Sequence, residues 1–113
     1  MNTLSLQEMP CYTYDDYTQL QGRWELIHGI AYSMSPAPSI THQIIRQCMT
    51  VQLAHALENC PECQALLPVD WKIDEEIIVQ PDNLVVCGKL AKDAYLTKTP
   101  ILIFEILSPS TAK

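Results

Sequence analysis

Apolar positions along this chain recur with two periods, and each change of period marks an element. In Arg23 to Met34, RWELIHGIAYSM, Trp24 and Leu26 alternate before His28-Gly29, and Ile30, Tyr32 and Met34 alternate after it. Alternation on both sides of a two-residue turn ending in Gly predicts a β-hairpin with a primed turn. That turn pairs Ile27 with Ile30 and Glu25 with Tyr32, and puts Glu25 on the face opposite Trp24 and Leu26. From Ser39 the period lengthens. Ile40, Ile44, Cys48 and Val51 fall at i, i+4, i+8 and i+11, and Ile45, Met49 and Leu53 widen the stripe. This predicts a helix capped by Ser39, running to Asn59, stopped by Cys60-Pro61 and packed on a sheet through that stripe.

Further strands follow. Ala65 to Ile73 places Leu67, Val69, Trp71 and Ile73 on one face and Asp70 and Lys72 on the other. The charged turn Asp74-Glu75-Glu76 makes it a hairpin with Ile77 to Cys87. The segments Ile77–Cys87 and Ile101–Leu107 are apolar on both parities, which suits strands covered on both faces in an α/β sheet. Lys89 to Thr99 reads as a polar connection with one helical turn. Upstream, Thr13-Tyr-Asp-Asp16 has capping-box spacing, predicting a short helix through Leu20 in which Tyr14 and Tyr17 share a face. Met1 to Pro10 reads as a loose lead-in. Ser108-Pro109 has the cap and first-turn residues of a helix start. A sheet covered by a helix gives an α/β (α+β) class. The length of 113 residues, with no repeat, low-complexity segment or composition break, predicts a single domain over residues 1–113.

Into the two apolar strands the chain puts one carboxylate each, Asp82 after Pro81 and Glu105. Pro81 removes a ladder donor and marks a bulge or a strand that has lost a neighbour. A carboxylate in a two-sided apolar strand is costly unless a cation or donors meet it. Either adjacent strands bring Asp82 and Glu105 to a shared hard divalent cation, or each acid is solvated or paired with Lys or Arg. His42 and His55, on the helix, read as structural rather than as ligands.

Composition narrows the functional classes. Hydrophobic residues are 48% and charged residues 18%, which excludes a disordered chain. The net charge of −6 argues against a module held on DNA by phosphate neutralisation. It leaves room for a nuclease whose acids bind metal, since the metal then supplies the positive charge. No signal-peptide pattern follows Met1 and the apolar runs are too short to span a bilayer, so a cytoplasmic protein without membrane contact is expected. Five cysteines, an odd count without a secretory signal, predict free thiols. Cys48 and Cys87 read as small core hydrophobes. Cys60-Pro-Glu-Cys63 has C-x-x-C spacing, which supplies only two of the four ligands of a structural zinc site.

The order of these features carries a resemblance. Tyr14-Asp-Asp-Tyr17, Trp24-Glu-Leu-Ile-His-Gly29, Met34-Ser-Pro36, Ser39-Ile-Thr-His-Gln43, Val79-Gln-Pro-Asp82 and Phe104-Glu-Ile-Leu-Ser-Pro-Ser-Thr111 resemble, in order and separation, the Uma-two family of putative restriction endonucleases. That family belongs to the PD-(D/E)XK nuclease superfamily, and the similarity runs from Tyr12 to Lys113. It implies a restriction-endonuclease-like mixed sheet flanked by helices, and metal-dependent hydrolysis of DNA phosphodiesters. It implies Asp82 and Glu105 as catalytic acids on Mg²⁺ or Mn²⁺, the backbone carbonyl of Ile106 as a further metal ligand, and Glu25 as an outer catalytic acid. His42 matches a recurrent His without an assigned role. The superfamily lysine two residues past the acid is here Leu107. In this family a lysine on the following helix looks like the substitute, and further strands and a helix continue the fold, so the core is expected to be incomplete after the third core strand.

Three functional expectations follow. The first is a metal-dependent endonuclease, weak or inactive for want of the lysine. The second is a non-catalytic, self-associating binding module, its exposed apolar strand covered in a homo-oligomer. The third is a redox or zinc module at Cys60 and Cys63.

Overall fold

The computed structural model describes residues 11–34 and 39–107. In chain order the elements are α1 (Tyr14–Tyr17), β1 (Trp24–Ile27), β2 (Ile30–Ser33), α2 (Ile40–Ala56), β3 (Cys63–Leu66), β4 (Asp70–Asp74), β5 (Ile77–Val79), β6 (Asn83–Cys87), β7 (Tyr95–Leu96) and β8 (Leu102–Phe104). The mixture of helices with parallel and antiparallel strands is the α+β class expected. The described residues fall into two compact units, the first within Met1–Ser35 and Lys72–Val79, the second within Pro36–Trp71 and Gln80–Lys113.

In the first unit β1 and β2 pair antiparallel in the predicted register, Ile27 with Ile30 and Glu25 with Tyr32. The turn needs positive φ at both central residues, and His28 (50°) and Gly29 (78°) supply it. At α1, the Asp16 carboxylate accepts the Thr13 N–H at 3.0 Å. Tyr14 and Tyr17 meet edge to face, centroids 6.3 Å apart. β1 pairs with β5 through Leu26 and Ile78. These two, with Tyr17, form the buried cluster, flanked by Tyr12, Tyr14, Trp24 and Ala31. Tyr17 also donates its hydroxyl to the Trp24 carbonyl at 2.8 Å, so its polar end is satisfied where its ring is buried.

In the second unit β6 lies between β3 and β8, antiparallel to both. α2 packs on β3 and β6. Asn83, Leu84, Val85 and Val86 are all buried, as a central strand apolar on both parities requires. Leu84 and Val86 join Leu96 in the core, against Leu66, Val69, Trp71 and Leu90. Burying each such side chain contributes about 1.5–3 kcal/mol. β4 starts in this unit, where Asp70 and Trp71 pair in parallel with Tyr95 and Leu96.

Several expectations are corrected. The run Ile77–Cys87 is not one strand. It breaks at Gln80–Asp82 into β5 and β6, which belong to different sheets, because Pro81 offers no N–H to continue a ladder. Ala65–Ile73 likewise divides at Pro68 into β3 and β4. The connection Lys89–Thr99 contains the short strand β7 rather than a helical turn. The strand at 101–107 shrinks to three residues on a sheet edge, with Ile101, Leu102, Ile103 and Leu107 exposed. The helix start at Ser108 and the lead-in Met1–Pro10 lie outside the described residues.

The helix α2 turns the other way from the expectation. Its Ser39 cap is as predicted, accepting the His42 N–H at 3.1 Å. Yet Ile44 is 55% exposed and Val51 63%, and Cys48 is exposed too. The half-buried positions are His42, Arg46, Met49, Thr50, Leu53 and Leu57. The helix presents its polar N-terminal positions to β6 because Asp82 and Asn83 there demand hydrogen-bond partners, a cost that outweighs the exposure of a few aliphatic side chains. The cysteines differ as well. Cys63 and Cys87 stand directly opposite each other in the β3–β6 register and form a disulfide, while Cys11, Cys48 and Cys60 are free. Cys87 is therefore a bridged residue rather than a core hydrophobe, and Cys48 lies on the surface.

Candidate functional site around Asp82

Asp82 sits where the chain leaves β5 and enters β6, and it is 7% exposed. Its neighbours explain how a carboxylate is tolerated there. His42 and Arg46 are one helical turn apart on α2, so both reach the same point. Arg46 Nη2 donates to Asp82 Oδ1 at 2.5 Å, and His42 Nε2 lies 2.8 Å from the same oxygen. The Ile106 backbone N–H donates to Oδ2 at 2.7 Å. His42 Nε2 is also 3.2 Å from Arg46 Nη2. A single imidazole nitrogen cannot donate to Asp82 and accept from Arg46 at once, so the tautomer selects one of the two.

Asn83 continues the network one residue later. Its Nδ2 donates to the Arg46 carbonyl at 3.1 Å and to Thr50 Oγ1 at 2.7 Å, and Thr50 in turn donates to the Arg46 carbonyl at 3.0 Å. Arg46 Nε and Asn83 Oδ1 are buried with no hydrogen-bond partner among the described residues. Burial pushes the Asp82 carboxyl up. The hydrogen bonds from Arg46, His42 and the Ile106 N–H outweigh it, and the group ends below its usual 3.8. Asp82 is thus held ionised by protein donors.

The predicted site residues divide. Asp82 and Ile106 come together, through the Ile106 N–H rather than through its carbonyl. Glu105, the residue before, lies just past β8 with an exposed side chain that makes its own interactions. Glu25 is on β1, in the first unit. Sequence reading missed Arg46, Thr50 and Asn83. Their signal was present as the polar stripe His42, Arg46 and Thr50 at i, i+4 and i+8, beside the apolar stripe that drew attention instead.

The donor types suit a hard divalent cation, since the Asp82 and Glu105 carboxylates and the Ile106 carbonyl all offer oxygen. Asp82 has roughly four acceptor positions, and three of them already receive Arg46, His42 and the Ile106 N–H. The fit is therefore one of chemistry with a weakened acid, because the Arg46 charge opposes a second cation beside Oδ1.

A separate cluster lies at the turn before β3. Among the described residues, Cys60, Glu62 and Cys63 form a group of three whose ligand atoms all lie within 4.8 Å of one another. Glu62 accepts the Cys60 S–H at 3.4 Å, and that hydrogen bond, with some burial and the negative charge, raises the Cys60 thiol above its usual range.

Residues 13–113 match a family model described as a putative restriction endonuclease. A search of curated proteins gave no match. No helix among the described residues is long and apolar enough to cross a membrane.

Proposed function

This chain belongs to the Uma2 family of putative restriction endonucleases, and from that premise we propose that it is a metal-dependent DNA endonuclease of low activity centred on Asp82. The observation that carries the reading is the meeting of Asp82 with Ile106, the neighbour of Glu105, at 2.7 Å. It supports the two acids acting together, as the resemblance implies. Asp82, Glu105 and the Ile106 carbonyl would hold Mg²⁺ or Mn²⁺, which when bound polarises the phosphate and activates water. The remaining work falls to the protein's own groups. His42 and Arg46 keep Asp82 ionised and fix its orientation, and the Ile106 N–H ties the Glu105 segment to it. Arg46 is the cation at this centre, but its charge is spent on Asp82. Leu107 adds no positive charge, and a net charge of −6 gives no general attraction to DNA. Slow turnover follows, since removing one charge-stabilising donor typically lowers a rate by about a hundredfold to a thousandfold. This reading places the protein in the cytoplasm, with DNA as substrate.

A second reading is favoured by a different observation. Ile40, Ile44, Ile45 and Val51 on α2, and Ile101, Leu102, Ile103 and Leu107 at β8, are exposed. An edge strand with apolar neighbours is a template for pairing. In that reading the chain is a non-catalytic module that covers these residues in a homo-oligomer.

Nicking of supercoiled plasmid with Mg²⁺ or Mn²⁺ tests the first reading. Slow, chelator-sensitive nicking lost in Asp82→Asn and Glu105→Ala is expected. Nicking unchanged in both variants overturns the assignment to Asp82 and Glu105, and none in the wild type over hours overturns the enzyme and leaves the second reading.

A further inference from the structure

The turn before β3 carries more sulfur than the C-x-x-C spacing alone shows. Cys60 and Cys63 are linked by a tight turn in which the Cys63 N–H donates to the Cys60 carbonyl at 3.0 Å, and their Sγ atoms stand 3.4 Å apart. The β3–β6 register sets Cys87 opposite Cys63, bonded to it. Three cysteines from two segments therefore converge. Glu62 adds a carboxylate oxygen 3.4 Å from Cys60 Sγ. The backbone fixes the assembly, because the Gly88 N–H donates to the Glu62 carbonyl at 2.7 Å. Lys98 Nζ donates to the Cys87 carbonyl at 3.1 Å, placing a positive charge beside the group.

We propose that Cys60, Cys63 and Cys87, with Glu62, form a binding site for one zinc-class divalent cation in the reduced chain, closed in the oxidised chain by the Cys63–Cys87 disulfide. Three thiolates and one carboxylate make a four-donor set of the kind that zinc takes. The donors are soft, so the site selects against the Mg²⁺ that carboxylates would hold. It is separate from the Asp82 centre and independent of any reading of that centre.

The chemistry balances without a hidden reagent. A dithiol reductant gives two electrons and two protons to the Cys63–Cys87 S–S bond, yielding two thiols, and itself becomes a cyclic disulfide. The cation then forms three S–metal bonds and one O–metal bond, and the three thiol protons leave to solvent. Oxidation by a disulfide of higher potential runs this backward and expels the metal. Reducing compartments keep such thiols open, so the metal form is the one expected in a cytosol.

Co²⁺ is the probe. The chain is reduced with a dithiol, freed of it under nitrogen and titrated. The expected result is saturation at one Co²⁺ per chain, with an intense sulfur-to-cobalt charge-transfer band and tetrahedral visible bands that Zn²⁺ removes. Cys60→Ser and Cys87→Ser should each lose most of the charge-transfer intensity, while Cys48→Ser, at a free and exposed cysteine of α2, should keep it. Circular dichroism of each variant separates lost binding from lost folding. The disulfide form should give no band. Absence of cobalt–thiolate absorption in the reduced wild type overturns the site. So does a well-folded Cys87→Ser with an undiminished band, or equal binding by the oxidised chain.

Discussion

Replacing Arg46 by Met should remove about 2–4 kcal/mol of stability at neutral pH. The perturbation keeps an unbranched apolar stem and deletes the guanidinium that touches Asp82 Oδ1 at 2.5 Å. Both partners are largely out of water, with side chains 14% and 11% exposed, so the pair is not a screened surface contact. A hydrogen bond to a charged group contributes about 1.5–3 kcal/mol, and breaking a buried ion pair typically costs about 3–5. Asp82 retains His42 and the Ile106 N–H, which moves the expectation to the lower part of that range. The loss should also depend on pH. The folded Asp82 titrates below its usual 3.8, so its ionised form stabilises the native state above that value, and the contribution fades as the pH falls through the lowered folded-state value. In Arg46→Met the folded value rises, so the difference between wild type and variant is full at pH 7 and shrinks in acid. Urea unfolding at a series of pH values measures both. A loss below about 0.5 kcal/mol at pH 7, or one that does not change on acidification, would refute the account of Asp82 as an acid held ionised by Arg46.

Other outcomes follow from the same packing. Ile44→Ala should cost less than about 0.5 kcal/mol, since Ile44 is 55% exposed, whereas Leu84→Ala, fully buried in β6, should cost about 2–5 by the same urea titration. Gly29→Ala should cost about 1–3 kcal/mol, because Gly29 has φ +78° and a Cβ there would stand 2.7 Å from Cys11 Sγ. Light scattering at micromolar concentration should report a dimer or larger, and Leu102→Lys at the exposed edge should return a monomer.

Local features of this fold were legible where the residues themselves set the geometry. The His28-Gly29 turn fixes the β1–β2 register because only a two-residue turn with positive φ joins those strands, and Ser39 caps α2 through its own hydroxyl. What was not legible depended on partners far along the chain. Two stripes compete on α2, one aliphatic and one carrying His42, Arg46 and Thr50. Hydropathy alone favours the aliphatic one. The choice is made by Asp82 and Asn83, 33 to 40 residues along the chain at the entry to β6, which must be satisfied once buried. The Cys63–Cys87 pair escaped for a similar reason: it exists only once Pro81 and Pro68 have cut two long apolar runs into four strands and set β3 against β6. For the candidate site, the need of Asp82 for a partner was readable from its apolar surroundings, while the identity of that partner was not.

The central claim is that Asp82, with the segment at Glu105, is the acid of a weak divalent-metal centre, and calorimetric titration with Mn²⁺ tests it most directly. The account predicts one weak site per chain in the wild type at neutral pH under oxidising conditions that keep the cysteine cluster closed. It predicts that Asp82→Asn and Glu105→Ala each abolish the heat of binding, and that Arg46→Met strengthens it by removing the competing cation. Equal Mn²⁺ binding by the wild type and Asp82→Asn, both folded, would contradict the account.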